Sequence, residues 1–359
     1  MEISEWQDIA DDFDDTLVLG NGASVAVHDK FRYDSLKEAA RDNGFLAVAS
    51  ENGDGSDDAA VAGVIDAEGV FELLSTDDFE VVLNLLWHAR YVNERLSIDE
   101  EQTEAAYRLV RNALVKTVKA VHCERNTIER HLGPISSFMG RFDIVLSLSY
   151  DLIVYWALLS GITHYGRFMD CFMGDQTFDP DWARHLRNSQ QTLVFYPHGN
   201  LLLTTHLLEG ERKEFARDRY ISDQIESAWG GGWTPLFISE GRPEDKESKI
   251  KKSGYLRTVY GEVMGRLGTT VVIYGWEFSY EKRKDTHLLE RLFQKQKDKI
   301  AVSVYRPRFK GDEEACELHC RGVENDIRTA SCRAGYRCPE VYFFDAQSEG
   351  CWIPQERES

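Results

Sequence analysis

Four short segments place polar side chains directly after apolar, β-prone runs: 20–24, 147–151, 196–200 and 274–278. In a parallel sheet the carboxyl ends of the strands share one edge, and ligands bind in the crevice outside that edge. We therefore expect polar groups from distant parts of the chain to face one ligand crevice.

A glycine turn follows the first apolar run, Thr16–Leu19, and opens a predicted helix. Glycines let backbone N–H groups approach a phosphate, and a helix N-terminus adds partial positive charge. Val25 stands where the usual dinucleotide fingerprint has its third glycine, and the turn could instead serve only the strand-to-helix connection. The candidate cofactor ligands here are Gly20, Asn21, Gly22, Ala23 and Ser24.

The next two segments supply candidate catalytic groups. Ser149 and Asp151 follow an apolar strand, although for Asp151 alone the favoured interpretation is a cap of the helix that comes next. His198 lies between two short strands and precedes Gly199, and a neutral imidazole near pH 7 suits a general base. A structural, hydrogen-bonding role for His198 is the alternative.

The last segment contains Gly275 and Glu277. A carboxylate at a strand end can accept hydrogen bonds from ribose hydroxyls, so Glu277 is a candidate ligand. The alternative is an exposed glutamate in a loop. Asp285 and His287 then precede a helix, and one interpretation of Asp285 is a cap of that helix.

The elements that position these residues alternate between strand and helix, and several strands are apolar on both faces. We predict an α/β fold with a Rossmann-like parallel sheet covered by helices and a helical insertion subdomain. The predicted divisions are residues 1–76 for the first part of the Rossmann-like domain, 77–138 for the helical insertion, and 139–359 for the remainder with a cysteine-rich end.

Charge and hydropathy restrict the partners. The chain has 61 acidic and 42 basic residues, a formal net charge of −19. Such a surface repels phosphate backbones and anionic lipid, so we expect no nucleic-acid or membrane partner. The most apolar stretch, 145–162, contains Asp151 and predicts a buried strand and helix. The acidic opening lacks a basic signal-peptide region, so we expect a cytoplasmic protein.

The order of the motifs resembles the sirtuin-like superfamily, in a bacterial branch related to NAD-consuming phage-defence effectors. The resemblance spans about residues 14 to 352. Its residues are the segments 20–24 and 147–151, His198-Gly199 and 275–277, with further marks at Phe31, Tyr33, 235–241, 343–348 and Trp352.

The resemblance implies a bacterial hydrolase with NAD as substrate, bound by the glycine turn with Tyr33, Gly199, Gly275 and Glu277. Cleavage of the nicotinamide–ribose bond would use His198 as a base, with Ser149 and Asp151 beside it. It also implies a silent antiviral effector, activated by a protein partner or by homo-oligomerisation. Two residues depart from the family pattern: Ser149 replaces an asparagine and Glu277 a serine.

Alternatives to this function remain open at the level of sequence. Ser149 and Glu277 favour a non-catalytic module that binds NAD or ADP-ribose. A protein deacylase needs an acyl-lysine channel and usually a zinc module, and neither is evident. A dehydrogenase is disfavoured by the missing third glycine.

The cysteine-rich segment offers Cys316, His319, Cys320, Cys332 and Cys338 within a short stretch. Its spacing lacks the paired Cys-x-x-Cys of zinc modules, and a helix would place Cys316 and Cys320 on one buried face. We expect no metal site and no zinc here.

Overall fold

The structure is a computed structural model. It describes residues 2–32, 35–46, 67–98, 101–160, 167–187, 191–215, 225, 228–230, 232–238, 243–282 and 284–353. Tyr33, a predicted cofactor ligand, lies outside the described residues.

A seven-stranded sheet organises the molecule, and its strands pair in parallel in the order β3-β4-β2-β1-β8-β9-β10. Every residue of β1, β2 and β4 is buried. Such strands are apolar on both faces because helices cover both sides of a parallel sheet. The prediction of an α/β Rossmann-like fold is confirmed. The strands are β1 Thr16–Leu19, β2 Ile144–Ser147, β3 Phe168–Met169, β4 Thr192–Phe195, β8 Thr270–Tyr274, β9 Lys299–Val304 and β10 Glu340–Asp345.

The chain divides into two compact units, and the first contains this sheet. It consists of Met1–Asp29, Arg125–Asn200 and Arg242–Ser359. Its helices are Trp6–Ile9, Asn21–Val27, Glu129–Met139, Ile153–Ser160, Pro243–Lys252, Gly254–Thr258, Thr286–Leu292 and Glu313–Arg333. The first six residues of Ile153–Ser160 are buried, as expected for a core helix. No helix among the described residues is long and apolar enough to cross a membrane.

The second unit consists of Lys30–Glu124 and Leu201–Gly241. Its described residues include four α-helices and a three-stranded sheet of order β6-β5-β7, in which β5 and β6 are antiparallel. The first two residues of β5 belong to the first unit. The helices are Leu36–Asp42, Ala67–Leu73, Phe79–Leu96 and Glu101–Val121, and the strands are β5 Gly199–His206, β6 Gly210–Lys213 and β7 Thr234–Phe237.

The predicted helical insertion, 77–138, overlaps this unit without sharing its boundaries. The two long helices, Phe79–Leu96 and Glu101–Val121, do fall in the predicted range. The unit also takes in shorter helices before residue 77, where Phe71 packs on Phe79 with ring centroids 5.0 Å apart. It takes in 201–241 as well, because the β7 residue Thr234 bonds Asn84 of the first long helix.

Candidate functional site

The candidate site lies at the carboxyl edge of the seven-stranded sheet. The chain leaves β1 for β2 on one side, whereas β8 lies on the other side of β1. The gap between β1 and β8 is therefore the topological switch point, the place where open α/β sheets bind ligands. Leu19 is level with Ser147 of β2 and with Tyr274 of β8. The segments that follow these three residues are among those predicted to carry chemistry.

The glycine turn uses its backbone donors within the fold. The N–H of Gly20 donates to the Tyr274 carbonyl at 2.9 Å, and that of Gly22 donates to the Gly275 carbonyl at 2.7 Å. Two N–H groups that the sequence assigns to a phosphate are thus engaged by the end of β8. Asn21 and Gly22 are nevertheless exposed, so the tip of the turn faces solvent.

Close backbone approach explains why these positions are glycines. A Cβ on Gly20 would lie 2.3 Å from the Trp276 Cα. A Cβ on Gly275 would lie 2.3 Å from the Ala23 nitrogen, and Gly275 has φ +64°, in the left-handed region. The turns after β1 and β8 therefore pack backbone against backbone. This is the connection role that the sequence left open as an alternative.

The end of the chain supports the same turn. The indole N–H of Trp352 donates to the Ala23 carbonyl at 2.9 Å, and the Tyr274 hydroxyl donates to the Ala346 carbonyl at 2.7 Å. Both tryptophan and tyrosine are buried. Hydrogen bonds to Trp352 and Ala346 thus stabilise the end of β8 and the glycine turn after β1.

Three buried side chains, Ser24, Ser149 and Asp151, form what we call the hydroxyl cluster. Ser24 follows the glycine turn, whereas Ser149 and Asp151 follow β2. The two hydroxyl oxygens lie 3.2 Å apart, and both hydroxyls donate to Oδ2 of Asp151. Asn21 Oδ1 lies 3.4 Å from the Ser149 hydroxyl, at the exposed rim. The sequence-predicted residues of β1 and β2 are therefore brought together.

Asp151 also bonds the start of a helix. Its Oδ1 accepts a hydrogen bond of 2.8 Å from the Ile153 N–H, at the start of Ile153–Ser160. The carboxylate therefore accepts from two hydroxyls and one amide, which satisfies both oxygens inside the protein. Asp151 thus bonds the first amide of this helix from the position before the N-cap, Leu152, and its carboxylate is fully used by groups within the protein.

His198 follows β4 and is 3% exposed. One ring nitrogen bonds the backbone of Leu148, next to Ser149. The other, Nε2, has no hydrogen-bond partner among the described residues. Burial, and then the Lys246 ammonium, lower the pKa of His198 well below its usual range, so that the ring is neutral at pH 7. Gly199, with φ +72°, turns the chain directly after it.

His198 belongs to a second group, which we call the imidazole cluster: His198, His287, Asp285 and Lys246. The two rings stack with centroids 5.9 Å apart and an interplanar angle of 20°. The Lys246 ammonium donates to Oδ1 of Asp285 at 2.9 Å, and the Trp276 indole donates to Oδ2 at 3.3 Å. Burial raises the pKa of the Asp285 carboxyl, but the Lys246 ammonium outweighs this effect and holds the pKa below its usual range.

The helix-capping interpretation of Asp285 is wrong. It occupies the N-cap position of Thr286–Leu292 with φ 47°, but its side chain makes no cap hydrogen bond. The carboxylate turns instead to Lys246 and Trp276. Aspartate tolerates this left-handed backbone better than most residues, since its short polar side chain bonds locally.

Glu277 lies at the surface. Its side chain is 43% exposed and pairs with Lys284 at 2.7 Å and with Lys282 at 3.6 Å. The hydrogen bond from Lys284 lowers the pKa of the Glu277 carboxyl. The structure therefore places Glu277 in a surface ion pair, the loop role that the sequence left open, and outside both buried clusters.

The cysteines also separate by environment. Cys316 and Cys320 are buried on one face of Glu313–Arg333, and burial raises the pKa of the Cys320 thiol to about 12. Cys332 and Cys338 are exposed, with sulfurs 3.8 Å apart. His319 packs on Phe309. The five residues are thus divided between a helix face and the surface.

In a comparison with protein-family models, residues 17–352 match a domain of unknown function, DUF4917. The chain belongs to the DUF4917 family. The match covers nearly the whole chain. It begins at Leu17, the second residue of β1, and ends at Trp352, whose indole N–H bonds the Ala23 carbonyl next to the glycine turn. A search of curated proteins gives no match.

Sequence reasoning missed the importance of three residues. Lys246 lies on a charged helix with no motif around it, and Trp276 was passed over in favour of its neighbour Glu277. His287 was noted only as preceding a helix. The available signal was the Asp-x-His spacing shortly after a strand of the predicted sheet, because that placement brings both side chains to its carboxyl edge.

Proposed function

We propose that this DUF4917 protein hydrolyses NAD by cleaving the bond between nicotinamide and ribose. The observation that carries the proposal is His198, a buried neutral imidazole whose Nε2 has no hydrogen-bond partner among the described residues. It follows a strand of a Rossmann-like sheet, and dinucleotides bind at the carboxyl edge of such sheets. The order of the motifs, which resembles the sirtuin-like superfamily, supplies the substrate.

In the proposed reaction, water attacks the C1′ carbon of the ribose while nicotinamide leaves. The C1′–N bond breaks with its electron pair going to the pyridine nitrogen, which loses its positive charge. Nε2 of His198 accepts a proton from the attacking water, and the products are ADP-ribose, nicotinamide and one released proton. Positioned protein dipoles stabilise the oxocarbenium character that develops at C1′.

The family pattern has an asparagine where this chain has Ser149, and in the proposed reaction Asn21 supplies the missing amide group. Its Oδ1 lies 3.4 Å from the Ser149 hydroxyl, and Asn21 is exposed where the hydroxyl cluster meets solvent. An amide offers both donors and an acceptor to a ribose hydroxyl or to water. In this proposal Asn21 lies beside the hydroxyl cluster and contacts the ribose.

The environment of His198 implies a slow enzyme. A base works best when its pKa lies near the operating pH, because a much weaker base has little driving force to take the proton. Burial and Lys246 lower the pKa of His198, whereas Asp285 raises it by stabilising the imidazolium. The ring is therefore always in the accepting form but weakly basic.

The direct test is to incubate purified protein with NAD and quantify nicotinamide and ADP-ribose by mass spectrometry. We expect His198→Gln to lower the rate by at least about 100-fold. His319→Gln, a substitution of a partly exposed histidine outside both clusters, is the matched control and should keep the wild-type rate. Equal rates in wild type and His198→Gln would exclude His198 as the base.

A second candidate function is a module that binds NAD or ADP-ribose without turnover. The observation that favours it is the hydroxyl cluster, whose hydroxyls and carboxylate are bonded to one another. It predicts a rise in Tm with NAD or ADP-ribose and no product. Ser149→Asn, which restores the residue of the family pattern, separates the two: a gain of turnover would identify a site that has lost activity through Ser149.

The proposed biological role is an NAD-depleting effector in antiviral defence. Such an enzyme must be silent until a protein partner or self-assembly activates it. We expect cellular NAD to fall when the wild type is expressed at high level or with its activator, and to stay unchanged with His198→Gln. Assays over a range of protein concentrations distinguish self-assembly from a partner, because only self-assembly makes specific activity rise with concentration.

A further inference from the structure

From its geometry, we infer that the imidazole cluster is a binding site for a divalent transition metal of the Zn²⁺ class, with His198, Asp285 and His287 as ligands. One ligand atom from each of the three lies within 4.8 Å of the others. Among the described residues this is the one group of three histidines, cysteines or acids with such geometry. The inference concerns binding alone; because a bound ion would occupy Nε2 of His198, the nitrogen that acts as base in the proposed function, metal binding would inhibit NAD hydrolysis.

The donor set suits the metal. Two imidazole nitrogens and one carboxylate oxygen form a common three-ligand set of zinc sites that keep an open position. Ligands around tetrahedral zinc lie about 3.4 Å apart, so a central ion requires each donor to move inward by less than about 1 Å. A side-chain rotation of that size needs no backbone rearrangement.

The burial and orientation of the His198 ring suit a metal ligand. Its Nε2 is buried and has no partner among the described residues, a state that costs free energy unless a ligand fills it. The bond from the other ring nitrogen to the Leu148 backbone fixes the orientation of the ring. Metal-binding histidines commonly have such a bond, because it sets the tautomer and leaves the second nitrogen to the ion.

The other two ligands are also held. Tyr260 stacks on the His287 ring, with centroids 6.3 Å apart, and its hydroxyl donates to the His287 carbonyl at 3.3 Å. Tyr260 lies in a π-helical turn, Val259–Val263, a feature frequent at functional sites. The Trp276 indole orients the Asp285 carboxylate. These contacts act as the outer shell that tunes a metal site.

The positive charge of Lys246 repels a metal ion bound at this cluster. Its ammonium lies 2.9 Å from Asp285 Oδ1 and already neutralises the only carboxylate of the cluster. Bound metal must therefore displace this long, flexible side chain or share the carboxylate with it. Lys246 thus limits the affinity, and its removal should strengthen binding, which a purely structural cluster would not predict.

The experiment titrates chelator-treated, full-length protein with Co²⁺, followed by visible absorption, and with Zn²⁺, followed by calorimetry. We expect one ion per chain. Affinity should fall at least about 10-fold in His287→Gln and in Asp285→Asn, and rise at least about 10-fold in Lys246→Met. Circular dichroism and Tm confirm that each variant is folded, and His198→Gln provides an independent ligand substitution if His287→Gln fails to fold.

The exposed thiols are the competing site. The double variant Cys332→Ser/Cys338→Ser should keep the affinity of the wild type, and bound Co²⁺ should show no sulfur-to-cobalt charge transfer. Absence of binding, binding that survives His198→Gln together with His287→Gln, or binding lost with the two cysteines would each overturn the inference. Because the readout is metal binding, its failure leaves NAD hydrolysis untouched, and an NAD assay with chelator reports on that proposal separately.

Discussion

The hydroxyl cluster and the imidazole cluster belong to the same sheet edge but satisfy their polar groups differently. In the hydroxyl cluster, the Asp151 carboxylate accepts from two serine hydroxyls and the Ile153 amide. In the imidazole cluster, Asp285 is shared by a lysine and an indole, and Nε2 of His198 has no partner among the described residues. Buried polar groups that are hydrogen-bonded within the protein stabilise its fold, whereas a buried nitrogen without a hydrogen-bond partner is available to a ligand. We therefore expect substitutions in the first cluster to act on stability and those in the second to act on binding.

The largest effect on stability is expected for Asp151→Asn. The variant presents an amide NH₂ to donors that need an acceptor, and buried donors left without partners cost about 1–3 kcal/mol each. The free energy of unfolding should fall by about 3 kcal/mol in denaturant titrations. Asp285→Asn tolerates the same left-handed backbone and keeps an acceptor oxygen for the Lys246 ammonium, so it should cost less, about 1–2 kcal/mol. Equal losses in the free energy of unfolding of the two variants would show that the two clusters contribute equally to stability, contrary to this expectation.

Gly275→Ala should have the next largest effect. The new Cβ would lie 2.3 Å from the Ala23 nitrogen at a positive φ, so the turns after β1 and β8 must separate. We expect a loss of about 2–3 kcal/mol in the free energy of unfolding. The control is Gly322→Ala, inside Glu313–Arg333, where an added Cβ meets nothing within 4 Å. That substitution should stabilise the chain by up to about 1 kcal/mol through helix propensity. Similar losses of unfolding free energy in Gly275→Ala and Gly322→Ala would contradict the close backbone packing between the turns after β1 and β8.

Local pattern predicted the sheet well. The apolar run Thr16–Leu19 forms a strand with those bounds in the structure, and the β-prone run that precedes the segment 274–278 forms the strand Thr270–Tyr274. Both are short apolar runs ended by glycine, and the signal is contained in consecutive residues. The two-residue strand β3 and the strand β6, which consists of Gly-Glu-Arg-Lys, carry little hydrophobic signal and are not predicted from the sequence.

The candidate site was predicted less completely, for a physical reason. Residues that follow strands are recognisable from the strand before them, which identified Ser149, Asp151 and His198. Lys246 comes from a helix whose sequence says nothing of its partner, Asp285, 39 positions away. Glu277 was favoured on charge, yet the turn beyond β8 directs it to Lys284 and brings the indole of Trp276 to the cluster. Which side chain turns inward depends on tertiary packing.

His198 should make stability depend on pH. Its folded-state pKa lies below the usual value of about 6.5, so at mildly acidic pH the unfolded chain binds a proton that the folded chain does not. Stability is therefore full above about pH 6.5 and falls as the pH drops towards the folded-state pKa, by up to about 1.4 kcal/mol per pH unit.

The measurement is the difference in the free energy of unfolding between pH 6 and pH 5. His198→Gln should reduce this difference by about 1 kcal/mol, since it removes one titrating group. Ser149→Ala, in the hydroxyl cluster, should keep the slope of the wild type. An unchanged slope in His198→Gln would show that the imidazole does not stay neutral in the folded chain.

The smallest effect is expected at Glu277. Its carboxylate is 43% exposed and pairs with lysines that are themselves at least half exposed, so solvent screens the attraction. Glu277→Gln should lower the free energy of unfolding by less than about 1 kcal/mol and leave the Kd for NAD or ADP-ribose within about twofold. Titration of the nucleotide into the variant and into the wild type measures the second quantity. A clear loss of affinity would restore Glu277 as a ribose ligand, and the binding site would then extend from the buried clusters to the surface beyond β8.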